Sequence, residues 1–348
     1  MIMKKLLITL LVMVMMFSAT AALADNTTAG DTQAGSILQE DLPVVTEQGE
    51  NMILVRWNSY IFYEFVLPNG KTIIFDPYMY EVKNQYTLYP DIKASEYING
   101  CDYIIITHSH GDHTRDLPDL LTKFPEAYVV APEEGLLAML YTYNINSGSY
   151  RILPVTDGEK LEFEDFTLEV SRGLHTFAGG LATEGELKQI DMSRYIDENG
   201  VFDSLKYDNG TLGGRSMMNY KLTTNDGFTI TMWAGEIGSE VKWFFYRDTK
   251  PDIMFYQNAK VNLGGDRDNP DTTGLAKMID CAKPAICLPA HQNDSSWENI
   301  LKAHDKCVSD LIAMGSEAKT QFFSPDPNYW YGFTKDTNGD ISIFLVER

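Results

Sequence analysis

A chain of 348 residues, 44% hydrophobic and 12% aromatic, holds enough apolar material for one large domain or two small ones. Its 49 Asp and Glu against 28 Lys and Arg give a formal net charge of −21, which repels a phosphate backbone and excludes general nucleic-acid binding. The four cysteines, Cys101, Cys281, Cys287 and Cys307, form no C-x-x-C pair, which argues against a cysteine zinc site. A core of this size has no need of disulfides, and Cys101 and Cys287 read as buried thiols in or beside apolar strands.

In chain order, "MIMKKLLITLLVMVMMFSATAALADN" carries Lys4 and Lys5, an apolar stretch from Leu6 to Phe17, and Ala22-Leu23-Ala24. These are the three parts of a secretory signal, so residues 1–24 are expected to be removed and the protein exported. The competing reading is an uncleaved anchor, the only contact with a membrane that the sequence suggests. Residues 25–50 are polar and rich in Gly, Thr and Gln, and read as a disordered leader, with the folded domain running over 51–348.

From Met52 the texture becomes β-rich. "MILVRWN", "YIFYEFVL" and "KTIIFD" predict strands, the last two joined by Pro68-Asn69-Gly70-Lys71 as a hairpin. The buried run Ile104-Ile105-Ile106 comes next, then a helix in "DLPDLLTKF", a strand in "AYVVA" and a helix in "EEGLLAMLYTY". Strands are predicted in "RILPV", "KLEFE" and "FTLEVSRGLH", and a second hairpin pairs "MMNYKLTT" with "FTITMWAGE" through Asn225-Asp226-Gly227. The remainder alternates: strand "DIMFYQ", helix "TTGLAKMIDCA", strand "AICLPAH", helix "WENILKAHDKCVSDLIAM", and strands near "QFFSP" and "ISIFLV". Mixed strands and helices with hairpins in both halves point to an α/β fold of stacked layers.

The chemistry concentrates in "IIITHSHGDHTRDL", 104–117. His108, His110, Asp112 and His113 come directly after a buried strand, where ionisable groups are costly unless something pairs with them. In an extended segment His108 and His110 turn to the same side, and the turn into the helix lets Asp112 and His113 face another way. Two ligand pairs in adjacent spaces suit a two-metal centre, and imidazole with carboxylate suits zinc, manganese or iron. Of the other histidines, His175 and His291 also end predicted strands, whereas His304 lies mid-helix and reads as a helix-face residue.

The ordered series "TIIFDPY", "CDYIIITHSHGDH", His175, "WAGEIG" and "LPAH" resembles the metallo-β-lactamase superfamily. The opening "RWNSYIFYEFVLPNGKTIIFDPYM" looks most like its ascorbate-phosphate-lactonase branch, itself akin to the phosphodiesterases that cleave N-acylphosphatidylethanolamines. The resemblance implies an αββα four-layer sandwich with metals along one sheet edge. By motif position, His108, His110 and His175 would hold one metal, and Asp112, His113 and His291 a second. The family's bridging carboxylate is an Asp in a Gly-Asp pair; here the pair is Gly235-Glu236. Glu236 is therefore the candidate bridge, and its extra methylene leaves open a bridge, a bond to one metal, or none. Asp76 matches a strand-end Asp whose expected task is to orient a ligand or the motif loop.

No Ser-His-Asp or nucleophile-elbow pattern is present, so attack by metal-bound hydroxide is the economical expectation. The resemblance also suggests Asp112, as a ligand, as the acceptor of the released proton. Lactone or ester hydrolysis leads; a phosphodiesterase of the same fold, or a silent metal-binding protein with a degraded second site, are the alternatives, and β-lactam hydrolysis is a lesser one. Substrate choice is expected in 176–215, with Phe177, Tyr195, Phe202 and Tyr207, and in 256–270. Lys260, Arg267 and Arg215 are available to a small anionic substrate.

Overall fold

The computed structural model describes residues 34–79, 93–173, 193, 196–201, 217–233, 249–257, 271–290, 297–327 and 329–347. In the first half of the chain the strands are β1 (Gly35–Ile37), β2 (Val44–Val45), β3 (Ile53–Ser59), β4 (Phe62–Val66), β5 (Thr72–Phe75), β6 (Tyr103–Ile105), β7 (Tyr128–Pro132), β8 (Arg151–Val155), β9 (Lys160–Glu162) and β10 (Phe166–Arg172). The second half supplies β11 (Met218–Thr224), β12 (Thr229–Trp233), β13 (Ile253–Gln257), β14 (Ile286–Ala290), β15 (Gln321–Phe323), β16 (Trp330–Lys335) and β17 (Ile341–Val346).

They form two mixed sheets, ordered β2-β17-β16-β3-β4-β5-β6-β7-β8 and β1-β15-β14-β13-β12-β11-β10-β9. Alternation within single strands shows how the layers stack. In β6, Tyr103 and Ile105 enter the core between the sheets, while Ile104 packs outward with Leu117, Leu120 and Leu121 of the helix Leu117–Lys123. In β13, Ile253 and Phe255 face that same central core, while Met254 and Tyr256 pack under the helices Thr273–Ala282 and Trp297–Ala313. Each sheet is thus apolar on both faces, and the architecture is helix, sheet, sheet, helix: the αββα sandwich expected from the sequence.

Aromatic rings fill the middle of the central core. Phe255 of one sheet meets Tyr63 and Phe65 of the other edge-on, with ring centroids 4.5 and 5.5 Å apart. Both predicted hairpins are present and antiparallel, their turns closed at Gly70 (φ 84°) and Gly227 (φ 85°), where a side chain would strain the backbone.

Two expectations need correction. The leader expected over 25–50 is part of the fold from Ala34 onward: β1 pairs with β15 and β2 with β17, both parallel. Ala34 and Leu42 are buried, and Tyr331 Oη donates to Gln39 Oε1. Edge strands of two or three residues take their register from the partner strand, so a polar sequence with scattered apolar residues suffices. The domain therefore includes residues before 51, and residues 25–33, like the signal 1–24, lie outside the described residues. Also unforeseen was β16, which sits between β3 and β17. At its Gly332 a Cβ would meet the Met52 side chain, so the strand backbone passes close to Met52 there.

Candidate metal centre

The site begins where β5 and β6 end side by side. Phe75 pairs with Ile105, and the next residue, Asp76, turns with φ 43° while its N–H donates to Ile105 O at 3.1 Å. Beyond β6 the chain is tied to both sheets. Ile106 N donates to Val130 O at 2.8 Å, Tyr220 Oη to Ile106 O at 2.7 Å, and Met218 N to Thr107 O at 2.9 Å. The histidine motif is therefore rooted between the two sheets.

Asp76 is fully buried and organises the motif from beneath. Its Oδ1 accepts from Thr107 N at 2.7 Å; its Oδ2 accepts from Thr107 Oγ1 and from His113 Nδ1, the latter at 2.7 Å. The Thr107 hydroxyl, having given its proton to Asp76, is an acceptor for His108 Nδ1 at 3.1 Å. These bonds assign the Nδ1 proton on both His108 and His113, and so set Nε2 as the lone-pair nitrogen of each. Asp76 thus bonds both the motif loop, at Thr107, and the His113 ring.

Two pairs of donor atoms result. His108 Nε2 and His110 Nδ1 face one another at 3.1 Å, and His113 Nε2 faces Asp112 Oδ2 at 4.0 Å. Two nitrogens bound to one tetrahedral zinc would stand about 3.3 Å apart, so the first pair fits a shared ion. Among the described residues no three His, Cys, Asp or Glu side chains meet around one point. What the motif supplies is pairs, and any third donor has to come from elsewhere. The three residues expected to complete the pairs, His175, Glu236 and His291, lie outside the described residues, as do Lys260, Arg267, Arg215 and most of 176–215 and 256–270. The strands that lead to them are described. β10 ends at Arg172, paired with Met218; β12 ends at Trp233; and β14 ends at Ala290, directly before His291. Tyr63 Oη donates to Pro289 O at 2.7 Å, tying the end of β14 to the other sheet.

His108 and His113 are buried, whereas Asp112 keeps 39% of its side chain exposed and His110 is half-buried, so the cluster opens to solvent on the Asp112 side. Burial pushes the His113 imidazole down, but the carboxylates of Asp76 and Asp112 outweigh it and the net shift is upward. Around the opening stand residues that the sequence did not single out. Tyr60 Oη donates to Asp112 Oδ2 at 3.4 Å, Tyr60 and Tyr78 meet edge-on at 5.4 Å, and the Tyr78 hydroxyl is hydrogen-bonded to Arg115. Asp116 accepts from Met79 N at 2.7 Å, and burial raises its carboxyl to about 6. No sequence signal marks these groups, because they reach the site through turns. His304 is on a helix, as expected, but faces inward: it is fully buried, with Nε2 2.7 Å from Tyr256 Oη. None of the four cysteines is in a disulfide.

Comparison with known proteins agrees with this architecture. The sequence profile of the metallo-β-lactamase superfamily matches residues 58–184, the stretch that carries the histidine motif. A UPF0173 metal-dependent hydrolase of Sulfolobus acidocaldarius is 26% identical over 265 residues, covering 76% of this chain and 94% of that protein. Among solved structures, Igni18, a metallo hydrolase of Ignicoccus hospitalis, superposes with a TM-score of 0.52 at 12% identity, covering 82% of this chain and all of that one. The metallo-β-lactamase fold protein YhfI of Bacillus subtilis gives 0.50 at 10% identity, over 81% and 98% of the two chains. At such identities the structural likeness speaks for the fold alone. In sequence the chain is similar to the metallo-β-lactamase superfamily over the stretch that carries the histidine motif, and along most of its length to a UPF0173 metal-dependent hydrolase.

Proposed function

We propose that His108, His110, Asp112 and His113, completed by His175, His291 and Glu236, hold two divalent ions, zinc first and manganese or iron as alternatives, for the hydrolysis of a small carboxylic ester or lactone. The observation that carries this reading is the facing of His108 Nε2 and His110 Nδ1 at 3.1 Å beside the Asp112–His113 pair. A divalent ion in such a site lowers the pKa of its water toward neutrality and polarises a carbonyl oxygen. The chain's own residues do the rest. Asp76 and Thr107 fix the tautomers that aim Nε2 of His108 and His113. Asp112, open to solvent, takes the proton released on hydrolysis. Tyr60, Tyr78 and Arg115 border the opening and would meet the substrate first; the positive charge of Arg115 favours an anionic one. The lactonase-like opening of the sequence supports the ester or lactone preference. The N-terminal signal pattern supports export after cleavage behind Ala24, which leaves a net charge of −23.

Metal content and a substrate panel test this together. Purified protein should contain close to two equivalents of metal and hydrolyse lactones and p-nitrophenyl esters in preference to bis-p-nitrophenyl phosphate; the reverse preference would make it a phosphodiesterase. His110→Ala should abolish hydrolysis while leaving the unfolding transition intact. Turnover retained by that variant would remove the motif from the mechanism. N-terminal sequencing of exported protein should begin at Asp25.

A further inference from the structure

Five described non-glycine residues have positive φ: Tyr60, Asp76, Asn144, Lys250 and Lys283. Lys283 caps the helix Thr273–Ala282, and Asn144 comes just after the helix Leu136–Thr142, positions where the left-handed conformation is ordinary. Tyr60 and Asp76 differ, because both border the histidine cluster and neither ends a helix. Asp76 is held in its conformation by the three hydrogen bonds it accepts. Tyr60, with φ 52° in the turn between β3 and β4, occupies a place that glycine or asparagine would fill without strain.

The strained turn is held from two sides. The indole of Trp57, itself buried, donates to Tyr60 O at 3.0 Å, and the Tyr60 ring packs partly on the central core and edge-on against Tyr78. So fixed, the hydroxyl reaches Asp112 Oδ2 at 3.4 Å, the same oxygen that faces His113 Nε2 at 4.0 Å. A carboxylate oxygen has lone pairs for both a phenol and a cation, so the two contacts are compatible.

We propose that Tyr60 is the positioning residue of Asp112, its hydroxyl holding the carboxylate with Oδ2 turned toward His113, as Asp76 holds His113 from the other side. The proposal rests on the reading of Asp112 as a metal ligand. The backbone strain at Tyr60 keeps a phenol at a point where the carboxylate would otherwise swing toward solvent.

Tyr60→Phe tests it with Zn²⁺ and Co²⁺ as probes. The variant should keep the unfolding midpoint of the metal-free chain, bind the weaker of two zinc ions roughly 10- to 100-fold less tightly, alter the visible spectrum of the cobalt form, and lose kcat rather than KM. Tyr60→Gly, which adopts the turn without strain, should lose the same affinity. Zinc affinity and a cobalt spectrum unchanged in Tyr60→Phe would overturn the proposal while leaving the metal centre standing. So would a loss of affinity matched by a lowered midpoint in the metal-free chain, since Tyr60 would then be structural. A wild-type chain that takes up no zinc overturns both the centre and the role of Tyr60.

Discussion

Two buried histidines, His113 and His304, sit in the same fold and behave oppositely. Both lose essentially all contact with water. His113 lies against the carboxylate of Asp76, with Asp112 nearby; burial pushes its pKa down, but the two carboxylates outweigh it and the net shift is upward. His304 points from the helix Trp297–Ala313 into an apolar layer, packed on Phe322 at 4.7 Å with Tyr256 Oη as the partner of Nε2; burial alone lowers its pKa to about 3. Burial therefore does not make a histidine functional. The neighbouring carboxylate, with the proton it locates, separates the histidine proposed as a metal ligand from one that serves as a polar core residue.

The largest effect that sharpens this contrast is acid sensitivity. The folded pKa of His304 lies below its unfolded value of about 6.5, so the unfolded chain binds more protons in between. The stability at stake is fully present above about pH 6.5 and is lost as pH falls toward about 3, on the order of 4–5 kcal/mol in the acid limit. His304→Gln should be less stable at neutral pH yet show a flatter fall, measured by urea unfolding between pH 7 and 4. Parallel curves for the two proteins would mean that His304 is reached by water.

The next effect breaks the other half of the comparison. Asp76→Ala leaves Thr107 N, Thr107 Oγ1 and His113 Nδ1 without their common acceptor, and removing one partner of a buried charged network typically costs about 3–5 kcal/mol. Unfolding in urea should show that loss, and bound zinc should fall with it. Normal stability with lost zinc would confine Asp76 to orienting ligands.

These contrasts mark how far the sequence could be read. The hairpins at Gly70 and Gly227 and the buried Ile104–Ile106 run are local signals, and the structure contains them all. Asp76 was legible because its place at a strand end before the motif is itself a pattern. The inward face of His304 was not: its helix is amphipathic, but the histidine's side depends on Tyr256, 48 positions away in the chain. Nor was Tyr60, whose contact with Asp112 spans 52 positions and depends on a turn conformation that tyrosine does not announce. The edge strands β1 and β2 were hidden for a related reason, since their partners lie near the other end of the chain.

The smallest effect concerns what holds the motif to the sheets. Two tyrosine hydroxyls cross the sandwich: Tyr220 to Ile106 O, two residues before His108, and Tyr63 to Pro289 O, two residues before His291. Each is a single neutral hydrogen bond, so Tyr220→Phe and Tyr63→Phe should each cost about 1 kcal/mol in urea unfolding. If the two ties act separately, the double variant loses the sum to within about 0.5 kcal/mol. A larger combined loss would mean that the strand end entering the histidine motif and the strand end leading to His291 are held as one unit. In that case the spacing between the two halves of the proposed centre is set by the sandwich as a whole rather than by either loop.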